Sequence, residues 1–356
     1  MDHISTAYPR NQWWVAARPS ELTTSPFERR ILGDRIVFFR TEGGEATALA
    51  GLCPHRMYPL ALGKVMGDEI ECGYHGFRFK ADGKCSLVPS QDTAPSAVGV
   101  RRYPIVEQAH FVWIWTGDPA LADPALIPDV SAYGPAANGA APGWRVIEHR
   151  AYHAPARYTL LLDNLMDLSH LAFIHARSAP INADLPRIPI EVRQEEGRVE
   201  LLRRAQGISS GPMEMGLFQY TGPINLHLES RYLAPAMVQT GLLTQAVEDP
   251  DSTRQLAYLT YMHALTPETP NSCHYFVTEG RDFHLDNLSL DETSRQMHDI
   301  LGQEDVDVCT LVEQALQNGD IRQPEVSVKA DAGGVLVRRE LAAQIAKEAA
   351  PLEAVA

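Results

Sequence analysis

The stretch Arg157–His175, RYTLLLDNLMDLSHLAFIH, decides how the rest of the chain is read. It holds Asp167, His170 and His175 in the spacing D-x-x-H-x4-H, with Asn164 one turn ahead of Asp167. Leucines and other apolar residues surround these polar ones, so the segment reads as a largely buried helix. Two imidazoles and a carboxylate on a buried helix are costly unless something satisfies them, and a metal ion does so. Residues five apart in an ideal helix diverge by about 140°. For His170 and His175 to meet one ion, the helix must therefore bend or break between them. This differs from the HExxH helix of zinc proteases, whose two histidines share a face. Two histidines with one carboxylate from elsewhere make the facial triad of non-haem Fe(II) oxygenases, with positions left open for oxygen. The plainer alternative is a core helix with two satisfied histidines.

The chain has 356 residues, which suits about two domains, each with a sizeable core. The formal net charge of −14 is spread along the chain and argues against a nucleic-acid footprint, which needs a basic face. No apolar run approaches the roughly 18 residues of a membrane span. The start, MDHISTAYPRNQWW, has no basic region followed by an apolar stretch, so a cytoplasmic protein is expected. Cys53, Cys72, Cys85, Cys273 and Cys309 are odd in number and scattered, which favours metal ligation over a disulfide framework.

From Trp13 to about Trp115, short β-type runs alternate with turn residues, as in Arg35–Arg40, Gly43-Gly44, Ala46–Leu52 and Phe111–Trp115. This spacing predicts a small antiparallel β-domain or barrel. Two loops interrupt it: Cys53-Pro-His55-Arg56 and Cys72-Gly-Tyr-His75-Gly76. A zinc Cys2His2 site is one reading, although its usual spacing joins the cysteines in one loop and the histidines in another. Here each loop supplies one of each, as a Rieske [2Fe–2S] centre requires: two thiolates on one iron, two imidazoles on the other. Gly73 and Gly76 allow tight turns there, with backbone N–H groups free to donate to sulfur.

The CPHR and CGYHGF loops resemble those of Rieske non-haem iron oxygenases, and NLMDLSHLAFIH resembles the mononuclear-iron helix of that family. The likeness runs on through His263–Phe276, Gln303–Val308 and Asp331–Arg339, and is closest to the vanillate and dicamba O-demethylase branch. It implies an α+β chain: an all-β Rieske domain over 1–120, a linker over 121–143, and a catalytic domain over 144–356. The catalytic domain of such proteins is a helix-grip (START-like) antiparallel sheet wrapped around a long helix. The composition agrees, since Pro, Ala and Gly dominate between Asp118 and Gly143.

Beyond the iron segment and a Pro-rich passage, Ser178–Pro189, β-type runs are expected at Val199–Ala205, Ile224–Leu233, Met237–Gln245, Leu256–Leu265 and Ser272–Glu279. Gly207–Gly216 reads as a loop, either a plain surface loop or a lid. Asp291–Asn318 has helical periodicity, and a last helix is expected after Gly334. The third iron ligand must be a distant carboxylate. Asp299, Glu304, Asp305, Asp307 and Asp320 are all available, and spacing does not choose among them. The resemblance selects Asp305, with Glu304 and Asp307 in reserve. It also implies a [2Fe–2S] cluster on Cys53, His55, Cys72 and His75, an iron on His170, His175 and Asp305, and Asn164 beside that iron. Asp167 would be a bridging carboxylate, accepting from His170 and from His75 of a neighbouring chain in a head-to-tail trimer. His263 and Gln239 match positions that contact substrate in the demethylase branch; alternation places His263 on a face with Leu259, Tyr261 and Leu265. Arg231 is a further candidate for a substrate carboxylate, against an ordinary ion pair. Without a dinucleotide fingerprint, the chain would draw NAD(P)H electrons through a separate flavin and iron–sulfur reductase. The expected reaction is O-demethylation of a methoxylated aromatic acid, with ring or methyl hydroxylation of another arene as the alternative. A non-enzymatic redox and ligand-binding protein is a third reading, which the His170, His175 and Asp305 set opposes.

Overall fold

The computed structural model describes residues 7–129, 135–136, 139–140, 143–179, 185–249, 252–319 and 324–349. They form two compact units, one of Arg10–Ile127 with Thr266–Pro270, the other of the remaining described residues. Part of the expected linker over 121–143, part of the Pro-rich passage, and Asp320 lie outside the described residues.

The first unit is all-β. Its strands are β1 (Trp13–Ala17), β2 (Phe27–Ile31), β3 (Asp34–Arg40), β4 (Ala46–Ala50), β5 (Leu52–Cys53), β6 (Tyr58–Pro59), β7 (Lys64–Met66), β8 (Glu69–Glu71), β9 (Arg78–Lys80), β10 (Cys85–Leu87), β11 (Ile105–Gln108) and β12 (Phe111–Trp115). They pair antiparallel as β1-β12-β11, β2-β3-β4, β5-β6 and β10-β9-β8-β7. Val37, Phe39, Leu49, Leu60, Ile70 and Phe79 form a core that also takes in Cys53 and Cys72. The two Cys/His loops are therefore hairpin tips, β5–β6 and β8–β9, rooted in one core.

The second unit begins with the short pair β13 (Pro135–Ala136) and β14 (Gly139–Ala140). Its main sheet comprises β15 (Arg145–Glu148), β16 (Tyr152–Ala154), β17 (Ile190–Glu195), β18 (Arg198–Ser209), β19 (Pro223–Leu233), β20 (Met237–Asp249), β21 (Ser252–Thr269) and β22 (Ser272–Arg281). The order is β15-β22-β21-β20-β19-β18-β17, with β16 also on β22. Burial alternates along β18 and β19, the signature of a sheet with one covered face. The helices are α1 (Tyr158–Leu165), α2 (Pro212–Leu217), α3 (Leu288–Gln317) and α4 (Ala332–Ala349). Asn287 caps α3 by accepting from the Leu290 N–H. Gly302 lets α3 pass close to β16, because a Cβ there would stand 2.6 Å from the Tyr152 ring. Gly333 and Gly334 do the same for α4, where a Cβ would meet Leu201 at 2.6 Å and Asp163 at 2.9 Å.

Three expectations need correction. The helix expected over Arg157–His175 ends at Leu165, ahead of both histidines. Met166 N–H still reaches Leu162 O, but Asp167 then accepts from Ser169 N–H at 2.7 Å and turns the chain locally. Ser230 Oγ donates to the freed Leu165 carbonyl at 2.7 Å, so the early stop leaves that group satisfied. A 3₁₀ turn, His170–Ala172, follows. Gly207–Gly216 is not a loop throughout, since β18 continues to Ser209 and α2 starts at Pro212. The last helix begins at Ala332, so Gly334 lies inside it.

Candidate metal centres and substrate pocket

The hairpin tips of the first unit sort their donors by burial. The thiols of Cys53 and Cys72 point into the core, at 1% and 2% exposure, while His55 and His75 are exposed. The imidazoles meet edge to face at 4.5 Å between ring centres, and His55 stacks on Phe77 at 4.7 Å. Cys72 interacts with the Cys53 sulfur, and the backbone N–H groups of His55 and Arg56 are directed at it. Burial foremost, with the neighbouring Cys72, pushes the Cys53 thiol up to about 11. Without a cation this thiol stays protonated; a bound metal reverses that preference. Gly76 has φ +70°, and at Gly73 a Cβ would approach the Leu62 carbonyl to 2.8 Å, so neither loop position accepts a larger residue without strain.

A zinc tetrahedron, with bonds of roughly 2.0–2.3 Å, would bring all four donors around one point. Among the described residues, the set whose ligand atoms lie within 4.8 Å of one another is instead His170, His175 and Asp305. The donors at the hairpin tips form a thiol pair and an imidazole pair, which fits two irons bridged by sulfide rather than one ion.

His170 comes from the 3₁₀ turn, His175 from the turn after it, and Asp305 from the middle of α3. Asp305 Oδ1 lies 3.2 Å from His175 Nε2 and 3.7 Å from His170 Nε2, buried, yet without a hydrogen bond of its own. A carboxylate oxygen and two imidazole nitrogens facing one point with no proton properly shared suit a cation there. Burial depresses His170 basicity despite Asp305 and Asp167 nearby. His175 is also lowered by burial, but Asp305 and Glu304 more than compensate and raise it above its ordinary value. Glu304, a reserve ligand in the sequence reading, instead accepts from His175 Nδ1 at 2.8 Å and from Ser178 Oγ at 2.6 Å. It orients the imidazole so that Nε2 faces Asp305. Asp307 is exposed and bonded to Gln303, and Asp299 pairs with Arg150 at the surface.

Asn164, Asp167 and His170 line a cavity of about 970 Å³ with Leu160, Ile174, Val308, Val312 and Val326. The Asn164 side-chain oxygen is buried without a partner. The Asp167 carboxylate caps Ser169 rather than receiving His170, whose Nδ1 has no well-formed hydrogen bond.

The expected substrate contacts separate. His263 is buried on the sheet face that bears Thr240, Tyr261 and Tyr275, and it bonds Tyr275 Oη at 2.7 Å and Thr240 Oγ1 at 3.0 Å. Burial drops its pKa to about 3, so it is a neutral hydrogen-bonding group. Gln239 pairs in register with Met262, one position out of phase with His263, so it lies on the opposite face. There it bonds Thr260 at 3.0 Å and Arg231 at 3.3 Å, and the two expected contacts do not converge. Arg231 is held by Glu200 at 2.7 Å, an ordinary ion pair. Cys273 and Cys309 are buried, and Cys85 is half-buried against the core that takes in Cys53 and Cys72. Sequence reasoning missed a polar cluster around His263. His298 Nδ1 meets Tyr152 Oη at 3.0 Å and stacks on His149 at 4.1 Å, while His149 meets Glu279 at 3.0 Å. Only pairing across β15, β22 and α3 brings these residues together.

Paired Cys/His loops on a small β-domain and a two-histidine, one-carboxylate centre between α3 and the turns after α1, in a unit built on one large antiparallel sheet, define a Rieske non-haem iron oxygenase. The comparisons agree. Residues 12–104 match the Rieske [2Fe-2S] domain, and residues 154–347 match the vanillate O-demethylase oxygenase C-terminal domain. The chain belongs to this family of oxygenase components. The dicamba O-demethylase oxygenase component of Stenotrophomonas maltophilia is 34% identical over 81% of this chain and 83% of its own. A vanillate O-demethylase oxygenase subunit of a Pseudomonas species (strain HR199) is 31% identical over 96% of each. The crystal structure of dicamba monooxygenase bound to 3,6-dichlorosalicylic acid superposes with TM-score 0.87 at 31% identity, covering 96% of this chain and 98% of that one. The same enzyme with non-haem iron and dicamba superposes at TM-score 0.81, with 30% identity and the same coverage. The expected recognition, fold class, enzyme class and cofactors stand: the protein is an oxygenase of a multicomponent system that uses a Rieske cluster and mononuclear iron. No described helix is long and apolar enough to cross a membrane.

Proposed function

We propose that this protein is the terminal oxygenase that O-demethylates a methoxylated, vanillate-like aromatic acid, releasing formaldehyde. The observation that carries the reading is the convergence of His170, His175 and Asp305 in a chain that also pairs Cys53 with Cys72 and His55 with His75. In this reading residues 1–120 carry the cluster on those four side chains, 121–143 link, and 144–356 hold the iron on the triad. The bound iron supplies oxygen activation once electrons and substrate are present together. Glu304 keeps the His175 Nε2 lone pair directed at the metal position, and neutral His263, held by Tyr275 and Thr240, adds no competing charge to the inner face. One oxygen atom enters the methyl C–H bond; the other leaves as water with two electrons and two protons. The resulting hemiacetal collapses to a phenol and formaldehyde.

The electrons come from NAD(P)H through a separate flavin and iron–sulfur reductase, in the cytoplasm. The active assembly is a head-to-tail homotrimer, in which Asp167 bridges to His75 of a neighbouring chain. The exposure of His55 and His75, and the exposed Val312 and Val326 in the cavity beside Asp167, support this arrangement. The test is a panel of methoxybenzoates with a surrogate reductase, comparing formaldehyde with NADH consumed. Coupled release supports the reading. A hydroxylated ring or a diol from a non-methoxylated arene, with no formaldehyde from the panel, overturns it in favour of ring hydroxylation.

A further inference from the structure

Among the described residues, three arginines of the second unit are buried to 5% exposure or less: Arg157, Arg203 and Arg281. Burying a guanidinium costs several kcal/mol unless a carboxylate and good hydrogen bonds compensate. Two of the three have that compensation. Arg157 grips Glu313 through bonds of 2.6 and 2.8 Å, and Arg281 meets Asp291 at 2.7 Å and donates to three carbonyls. Among the described residues, Arg203 has no carboxylate partner. Its Nη1 donates to Leu168 O at 3.3 Å and its Nη2 to Ser169 Oγ at 3.2 Å, both neutral and both long; its Nε is buried with nothing to donate to. Asp167 acts on it only from a distance.

Its position sharpens the question. Along β18 the inward register runs Val199, Leu201, Arg203, Ala205, so an arginine stands where an apolar residue belongs. Across the sheet the same row continues through Leu228, Leu242 and Leu259. Leu168 and Ser169 immediately precede His170. The guanidinium thus stands at the turn that presents the first histidine, at the end of an apolar row. His263 lies on the same face but is neutral, and Arg231 lies on the other face with Glu200. Among the described residues, Arg203 is the buried inner-face arginine without a carboxylate of its own.

Resting on the demethylase reading, we propose that Arg203 receives the anionic group, a carboxylate or sulfonate, of the aromatic substrate. Its planar fork can give two parallel hydrogen bonds to such a group, which its present neutral partners do not use. The ring would then lie along Leu228 and Leu242, toward the His170 turn.

Calorimetric binding to the full, metal-loaded chain tests this. The probes are ortho-, meta- and para-methoxybenzoate, the matching sulfonates, and the neutral methyl esters. Wild type should bind its best anion at least about thirtyfold more tightly than the corresponding ester. Arg203→Met, of similar length and no charge, should lose about that factor for the anion while ester affinity moves less than about threefold. Arg203→Lys should recover part of the anion affinity, and iron content should stay at the wild-type level. Equal or tighter ester binding by wild type overturns the proposal even if the Met variant fails to fold. So does a parallel loss for anion and ester, loss of iron with the charge, or no saturable anion binding across the panel. Formaldehyde assays on the same ligands separate the two claims. Formaldehyde without anion preference removes the Arg203 assignment and leaves the demethylase reading; Arg203-dependent anion binding with a hydroxylated ring does the reverse.

Discussion

Removing Glu304 should weaken the mononuclear iron site without touching a ligand. The carboxylate accepts from His175 Nδ1 at 2.8 Å, a charge-assisted bond of about 1.5–3 kcal/mol. Its side chain is 28% exposed, so solvent screening places it at the lower end of that range. Loss of about 1.4–2 kcal/mol corresponds to roughly 10–30-fold in metal affinity, within the usual effect of a group that orients a ligating histidine. Glu304→Gln, which keeps an acceptor but no charge, should fall between wild type and Glu304→Ala. The assay is a competition titration with Fe(II) or Co(II) on protein depleted of mononuclear metal, following the unchanged Rieske absorbance as an internal control. Turnover should recover at saturating iron. Affinity within about twofold of wild type, or loss of the cluster as well, would show that Glu304 does not act through His175.

Three further outcomes follow from the same structure. Gly63→Ala would drive a Cβ to 2.1 Å from the Glu71 carbonyl, one residue before Cys72; about 3 kcal/mol of destabilisation and a lower cluster content per chain are expected, and a wild-type melting curve would contradict this. Burial holds His263 at about 3 and His298 well below its ordinary value, so below about pH 6.5 the unfolded chain takes up protons that the folded chain refuses. Stability should therefore fall as pH drops through that window; urea midpoints at several pH values should show it, His298→Gln should flatten the slope, and an unchanged slope would remove His298 from the account. Asp167→Asn keeps an oxygen to cap Ser169, so both metal sites and the melting temperature should persist while reoxidation of the cluster slows severely; unaltered reoxidation, or a fully active wild-type monomer, would refute the bridging role.

The sequence brought out the candidate metal-ligand sets more clearly than the candidate pocket, for a physical reason. Cys53, His55, Cys72 and His75 sit on two short hairpins, and His170 and His175 in one segment, so local spacing reported their chemistry. Period-two alternation likewise located the strands from Val199 onward. The α1 stop did not show, because Asp167 and Ser169 look unremarkable in a leucine-rich run and the residue that satisfies Leu165 O, Ser230, lies far along the chain on β19. Glu304 and Asp305 are adjacent in sequence, and only their directions on α3 separate an orienting group from a ligand position. Gln239 was misjudged because sequence gives alternation within a strand but not the phase between two strands. That phase, Gln239 opposite Met262, puts it behind the sheet. Arg203 was detectable as a charge in an apolar register, but its lack of a carboxylate is a three-dimensional fact.

The central claim is that one chain holds two distinct iron centres and that Asp305 belongs to only one of them. Iron analysis and Rieske absorbance on wild type and Asp305→Ala test it together. Wild type should hold about three irons per chain, and Asp305→Ala about two, with an unchanged Rieske spectrum and no turnover. Retention of the third iron by Asp305→Ala, or loss of the Rieske signal with it, would contradict the account.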